Sequence, residues 1–212
     1  NNNCSTGSTA LYLARQAVQH GVVECALALG FEQMNPGALG GHFNDRASPF
    51  DKFDAATDAL VGHGEVPLAL RYFGGAGKAH MDQYGTRLST FAKVRAKASH
   101  HAVKNPKAVF RNEVSEEEVL QSKAMWPGVL TRLMCCPPTC GAAAAIVCSE
   151  AFAKKHGLDT TVRIKAQAMT TDGPTTFEAG DMREVVGFGM SREAFDAFIA
   201  SGADVVTLGN HS

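Results

Sequence analysis

The stretch NNNCSTGSTALYLARQAVQHGVVECALALGF, residues 1–31, decides the fold of this chain. Its apolar residues from Ala10 to Val18 recur at helical spacing, and Gly21 supplies a stop signal, so the pattern predicts a helix over residues 5–20. VVECALALGF, residues 22–31, is short and apolar and contains Gly30, as in a strand buried on both faces of a sheet. The chain is therefore expected to open with a turn or strand, a helix and a buried strand.

Cys4 stands at the start of this helix, flanked by small and polar residues. A sulfur at this position lies near unpaired N–H groups and the positive end of the helix dipole, which favours a thiolate. A thiolate can attack a carbonyl and form a thioester, while backbone N–H groups of the same turn stabilise the oxyanion. The pattern also fits a small buried cysteine before a helix, because helix-start activation of a thiol is a general effect.

Composition changes between residues 35 and 127, where Gly, Asp, Lys and His accumulate. Helical stretches are predicted over residues 77–84 and 87–103, and they are separated by a glycine and followed by a proline. Ser115 and Glu118 stand at the capping-box offset, which predicts the start of another helix with an acidic first turn. These signals indicate an inserted, mostly helical subdomain.

Apolar segments return after this region. GAAAAIVCS, residues 141–149, has the character of a buried strand, and a helix is predicted over residues 150–156. Further strands are predicted over residues 162–169 and 204–208, with a helix over residues 191–200 between them. The alternation of helices and strands predicts a layered α/β fold.

Composition and charge exclude two classes of partner. The formal net charge of -1 and the isoelectric point near 6.8 leave no basic field that would neutralise phosphates, so nucleic acid is not expected. No apolar run approaches the roughly 20 residues that span a bilayer, so no membrane span is expected. The chain begins with Asn1 and carries no visible targeting signal, and we expect its natural amino terminus to lie outside it.

The six cysteines stand in Ala-rich, apolar segments, which favours free thiols in a reducing compartment. Cys25 and Cys148 lie inside apolar strands and are expected in the core. Cys135, Cys136 and Cys140 form a CC-x3-C cluster, but a structural zinc needs about four ligands and no partner pair stands nearby. We therefore assign no metal site to these three cysteines.

Two features of the middle region have weak functional interpretations. The run GGAG, residues 74–77, lacks the Lys-Ser/Thr ending of a phosphate loop and follows no clear strand. Basic side chains in this region fit a solvated helix face, and no single cofactor-binding residue is assigned among them. They are His63, Lys78, His80, Lys93, Arg95, Lys97, His100, His101 and Lys104.

NNNCSTGSTALYLARQAV, continuing through ECALALGFEQM, resembles the nucleophile turn, helix and next strand of thiolases of the sterol-carrier-protein group. Four later segments resemble the same family in the same order, up to about residue 200: FGGAGKAHMDQYGT, FAKVRAKASHHAVKNP, LTRLMCCPPTCGAAAAIVCSEAFAKKHGL and VGFGMSREAF. The resemblance implies a partial thiolase-like αβαβα layered fold. Residues 1–34 and 127–161 would belong to the amino-terminal half, residues 35–126 to an inserted loop domain, and residues 162–212 to the start of the carboxyl-terminal half.

The resemblance also implies an activity. Thiolases cleave 3-ketoacyl-CoA, or condense acyl-CoA in reverse, through an acyl-cysteine, and Cys4 matches the acyl-accepting cysteine. Coenzyme A is then a co-substrate with no permanently bound cofactor, acyl-CoA is the substrate, and the complete protein is a homodimer. The resemblance also implies that some basic side chains of the loop domain meet the phosphates of coenzyme A, and that Cys135, Cys136 and Cys140 pack and line the pocket near the active site. The implied location is peroxisomal or mitochondrial in a eukaryote and cytoplasmic otherwise.

The chain departs from the family in two motifs. The family's His-Asp-Cys-Phe and Gly-His-Pro motifs do not occur in these 212 residues, and the chain ends with GNHS after a predicted strand. His211 stands in a different context, and a terminal His is most simply a solvated residue. Because Claisen chemistry needs an acid/base, the chain is expected to lack turnover. The alternatives are an inactive thiolase-like fragment that at most binds acyl-CoA or a partner subunit, and a lipid-transfer protein.

Overall fold

The computed structural model of the chain describes residues 3–36, 45–62, 64–169, 177–178 and 180–185. The chain divides into two compact units. Unit 1 consists of Asn1–Asn35, Cys140–Thr171 and Phe188–Ser212, and unit 2 consists of Pro36–Thr139 and Asp172–Gly187. The elements in chain order are α1 (Thr6–Gln19), β1 (Cys25–Glu32), α2 (Asp51–Val61), α3 (Leu68–Tyr84), α4 (Leu88–Ala102), α5 (Glu116–Gln121), β2 (Ala124–Trp126), β3 (Leu130–Thr131), β4 (Gly141–Cys148), α6 (Glu150–Lys155) and α7 (Met182–Val185). The helix predicted over residues 191–200 and the strand over 204–208 lie outside the described residues.

Unit 1 is built on an antiparallel ribbon of β1 and β4, paired in register from Cys25 opposite Cys148 to Glu32 opposite Gly141. Helix α1 packs on one face of this ribbon. Gly7 of the helix and Gly30 of the strand approach so closely that a Cβ on Gly30 would lie 3.0 Å from the Gly7 Cα. The predicted first helix and strand are confirmed, and two glycines allow the helix backbone to touch the strand.

The expected double-sided burial of β1 and β4 is wrong for this structure. Of β1 only Ala28 is buried, at 5% exposure, whereas Phe31 is 74% exposed and Ile146 of β4 is 70% exposed. The reason is that α1 covers one face of the ribbon, and no described element of unit 1 covers the other. Side chains of a strand alternate between the faces, so every second residue of β1 lies on the uncovered face. In β4, residues 141–146 are all exposed.

The strand predicted over residues 162–169 is not formed, and this segment has no regular secondary structure. Val162 is 91% exposed. A strand needs a neighbour to satisfy its backbone N–H and C=O groups, and within the described residues β1 and β4 pair only with each other. The helix before this segment is confirmed: Ser149 caps the amino end of α6, its Oγ accepting a hydrogen bond from Phe152 N, and Gly157 lies just after the helix with φ 66°.

Unit 2 is mostly helical, and its core lies between α2, α3 and α7. Ala76, Met182 and Val185 form the buried centre. Arg71, which is 8% exposed, forms an ion pair with Asp58 and so is not left as an unpaired buried charge. Partly buried apolar side chains pack around the centre: Phe53, Ala56, Val61, Tyr72, Phe73 and Ala79.

Helix α3 begins earlier than predicted, at Leu68 instead of residue 77, and therefore contains the glycine-rich run 74–77. Pro67 precedes the first helical residue, and Gly85 ends the helix in a left-handed conformation. A Cβ on Gly74 would lie 2.8 Å from the Trp126 ring. The glycines thus let other parts of unit 2 approach the helix, and they do not form a phosphate loop.

The second half of unit 2 follows the predicted pattern. Helix α4 is confirmed, and α5 begins with the predicted capping box: Ser115 Oγ accepts from Glu118 N, and Glu118 accepts from Ser115 N. Val119 of α5 is fully buried, and its carbonyl accepts a hydrogen bond of 2.7 Å from Thr131 Oγ1. This bond ties α5 to the short β2–β3 hairpin, where Thr131 pairs with Ala124.

None of the helices described here has the length and apolar character needed to cross a bilayer.

Candidate functional site

Cys4 lies in a single turn of 3-10 helix, Asn3–Ser5, that leads directly into α1. Its thiol is free and exposed, whereas the neighbouring Ser5 is buried at 6% exposure. The sequence alternative of a small buried cysteine is therefore wrong for this chain. The amino end of this 14-residue helix, which is the positive end of its dipole, follows immediately after the turn that contains Cys4.

The start of α1 lies at the Glu32 end of the ribbon, because Gly7 contacts Gly30 there. Cys140 directly precedes Gly141, which pairs with Glu32 at the same end. Met34 N donates a hydrogen bond of 3.2 Å to Cys140 Sγ, so this second thiol is held by the chain that leaves β1. Two free thiols, those of Cys4 and Cys140, thus lie at one end of unit 1.

The described histidines of unit 1 are His20 and His156, and His20 lies at the opposite end of α1 from Cys4. His20 caps the carboxyl end of α1, about 21 Å along a helix of 14 residues. His156 ends α6, which follows the Cys148 end of β4. The carboxylate nearest the Cys4 end in β1 is that of Glu32, which accepts a hydrogen bond from Gln33 N. His211 lies outside the described residues.

The cysteine cluster is divided between the units. Cys135 is half-buried, and its Sγ donates to Thr131 O at 3.5 Å, while Cys136 beside it is exposed. Burial raises the pKa of the Cys135 thiol, and the adjacent Cys136 raises it further, which favours the neutral thiol. Among the described residues no group of three His, Cys, Asp or Glu side chains is placed to hold a metal ion.

Some basic side chains of unit 2 form ion pairs or hydrogen bonds, and others do not. Lys78 forms an ion pair with Asp82, His100 lies 2.7 Å from a Glu113 carboxylate oxygen, and Arg95 donates to Leu133 O at 2.9 Å. Exposed lysines without a partner in the described structure form a lysine stripe on and just beyond α4: Lys93, Lys97 and Lys104. No described ion pair neutralises the charge of these three lysines. His63 lies outside the described residues.

An open groove on unit 2 is a feature that the sequence alone did not indicate. Trp126 lines it together with Lys78, Asp82 and Met182, which come from distant parts of the chain. The sequence signal was the single tryptophan, but its partners could be found only from the fold.

Comparison with known proteins places the chain in a family. It is 50% identical over 195 residues to sterol carrier protein 2 of Homo sapiens, covering 92% of this chain and 36% of that protein. It is 34% identical over 200 residues to non-specific lipid-transfer protein-like 2 of Caenorhabditis elegans, covering 90% of this chain and 47% of that protein. It is 32% identical over 171 residues to benzoylsuccinyl-CoA thiolase subunit BbsB of Thauera aromatica, covering 81% of this chain and 41% of that protein.

A solved structure, the Ltp2-ChsH2(DUF35) aldolase, matches with a TM-score of 0.54 and 21% identity, covering 72% of this chain and 37% of that one. This likeness concerns the fold alone. No protein-family model matches the chain. The chain spans 36% of the length of the sterol carrier protein 2 relative. The fold is thiolase-like α/β, and the chain belongs to the thiolase superfamily, in its sterol-carrier-protein group.

Proposed function

We propose that the chain derives from an acyltransferase that cleaves 3-ketoacyl-CoA thiolytically, and that Cys4 is its acyl-accepting nucleophile. The observation that supports this role is an exposed, free thiol placed immediately before the amino end of α1. The positive end of the α1 dipole, at that turn, would stabilise negative charge on a carbonyl oxygen attacked there. Relatives named as a thiolase subunit and as an acetyl-CoA acetyltransferase support the same class of reaction.

In the proposed reaction the Cys4 thiolate attacks the 3-keto carbonyl and forms a covalent bond to that carbon. The bond between the substrate's second and third carbons breaks, and its electron pair stays on the second carbon, which then takes up a proton. This leaves an acyl-Cys4 thioester and a shortened acyl-CoA. The thiol of a second coenzyme A then attacks the thioester, carries away the acyl group and restores Cys4. Coenzyme A is thus a co-substrate, and no permanently bound cofactor is required.

We propose further that Cys4 of this chain accepts an acyl group from acyl-CoA, but that the chain does not turn over 3-ketoacyl-CoA. Proton transfer at carbon requires a positioned acid/base. Of the described histidines of unit 1, His20 lies at the far end of α1 from Cys4, and His156 ends the helix that follows the Cys148 end of β4. The competing proposal is an inert thiolase-like chain that at most binds acyl-CoA or a partner subunit.

The lysine stripe of unit 2 is our candidate for contacts with the phosphates of coenzyme A, because its charges are not already neutralised. The domain division proposed from the resemblance, with residues 35–126 as the loop domain, would place this stripe in the loop domain. Homodimerisation of the complete protein and a peroxisomal or mitochondrial location in a eukaryote also remain proposals.

The test is acylation of the thiols by acetyl-CoA, followed by mass spectrometry of the intact chain and of its peptides. We expect one acetyl group on Cys4, lost in Cys4→Ser and retained in the matched control Cys25→Ser, which removes another exposed thiol of unit 1. Equal labelling of all exposed cysteines would refute a special role for Cys4, and no adduct would favour the inert chain. Turnover of 3-ketoacyl-CoA that Cys4→Ala abolishes would overturn the proposed lack of turnover.

A further inference from the structure

Two cysteines that sequence patterns placed in the core stand side by side on the open face of the ribbon. Cys25 of β1 is directly opposite Cys148 of β4 in the strand register. Alternation along the strands puts both side chains on the face that carries Phe31 and Ile146, which α1 does not cover. Cys25 is exposed and Cys148 is partly exposed, so their expected burial is wrong and a small reagent can reach both thiols.

The backbone hydrogen bonds identify the kind of pair that the two cysteines form. One position further along, Ser149 N donates to Glu24 O at 3.0 Å, so these two residues form a hydrogen-bonded pair. Pairs alternate along an antiparallel ladder, and Cys25 and Cys148 therefore form a non-hydrogen-bonded pair. In such pairs the Cα atoms are about 4.5 Å apart and the side chains are at their closest. That separation lies at the short end of the roughly 4.4–6.8 Å range that disulfides span.

We infer that Cys25 and Cys148 form a reversible cross-strand disulfide when the folded chain meets a low-molecular-weight disulfide such as oxidised glutathione. The Cys25 thiolate attacks one glutathione sulfur, and the released glutathione thiolate takes up the proton that Cys25 lost. The Cys148 thiolate then attacks the Cys25 sulfur of this mixed disulfide and releases the second glutathione as a thiol. Two protein thiols are oxidised, and one glutathione disulfide is reduced to two thiols.

The bond would lie well away from the proposed nucleophile. Gly30, which marks the Cys4 end through its contact with Gly7, is about 17 Å along β1 from Cys25. Oxidation at Cys25 and Cys148 therefore leaves Cys4 free to react. The disulfide would also cross-link two strands that are far apart in the sequence. Such a cross-link lowers the conformational entropy of the unfolded chain and so stabilises unit 1. The inference does not depend on the proposed acyl transfer.

The experiment is oxidation of the native full chain by oxidised glutathione, blocking of the remaining thiols with N-ethylmaleimide, and peptide mapping without reduction. We expect the loss of two of the six free thiols, a peptide that joins Cys25 to Cys148, and its disappearance on treatment with dithiothreitol. Cys25→Ser and Cys148→Ser should each abolish the cross-link. The matched control Cys136→Ser, which removes an exposed thiol of unit 2, should leave it intact.

Three results would overturn the inference. The first is a glutathione adduct that persists on Cys25 in the wild-type chain. The second is a cross-link between any other two cysteines as the main product. The third is equal formation of the Cys25–Cys148 bond in urea, because the inference requires the folded register to bring the thiols together. Because the readout is a covalent mass, a loss of stability in the serine variants does not imitate the expected result.

Discussion

Replacement of Gly74 by alanine tests whether the glycine-rich run exists for close packing inside α3. An alanine at Gly74 would place its Cβ 2.8 Å from Trp126 Cε3 and 2.9 Å from Leu130 Cδ1, so the ring must move. Overpacking of this kind costs about 1–3 kcal/mol. Replacing a helical glycine by alanine stabilises the helix by about 0.5–1 kcal/mol, so the net effect is a destabilisation of up to about 2.5 kcal/mol.

Gly77 provides the matched control in the same helix, three residues away. Its added Cβ would lie 3.8 Å from Phe91 Cζ, which is an ordinary contact. Gly77→Ala is therefore expected to raise the free energy of unfolding by about 0.5–1 kcal/mol through its higher helix propensity, without a steric clash. The two variants are expected to differ by about 1–3 kcal/mol in the free energy of unfolding of unit 2, with Gly77→Ala the more stable.

Trp126 is the single tryptophan of the chain and packs against Gly74, so its fluorescence reports unfolding of this region. A difference of about 2 kcal/mol shifts the urea midpoint by about 1 M when the denaturant slope is near 2 kcal/mol per molar. Circular dichroism would first establish that both variants are folded. If Gly74→Ala proved as stable as Gly77→Ala, the glycines would not be required for packing and the reasoning would fail.

Two further predictions concern the helix cap and the open face of the ribbon. Ser115→Ala should lower the stability of unit 2 by about 1 kcal/mol at neutral pH. The hydrogen bond from Ser115 N holds the pKa of Glu118 below its usual value, so the cap's stabilisation is present above the ordinary carboxyl pKa and lost as pH falls through the lowered one. Urea midpoints measured down to pH 3 should fall in the wild type more than in Glu118→Gln, and equal slopes would contradict this. Phe31→Lys should reduce self-association in size-exclusion chromatography, because Phe31 belongs to an exposed apolar face, while Val94→Lys, at a similarly exposed site of unit 2, should not. A wild-type chain that elutes as a monomer would refute this prediction.

Local sequence signals were sufficient to predict secondary structure wherever a segment satisfies its own backbone hydrogen bonds. The helix after Cys4, helix α4 and the Ser115–Glu118 capping box depend on contacts between residues three or four positions apart, which sequence spacing displays directly. The start of α3 was missed because glycines weaken helix propensity, and only the packing of Gly74 against Trp126 explains their presence.

The features of the candidate site also divide into those that local sequence determines and those that depend on tertiary contacts. The sequence by itself determined the family and the position of Cys4 before a helix, because both depend on an uninterrupted stretch of residues. Only the tertiary structure decided that β1 pairs with β4, that one face of this ribbon is open, and that Cys25 therefore stands beside Cys148. The physical reason is that a strand takes its hydrogen bonds and its burial from neighbours that are distant in the chain. For the same reason residues 162–169, though strand-like in composition, remain without regular structure here.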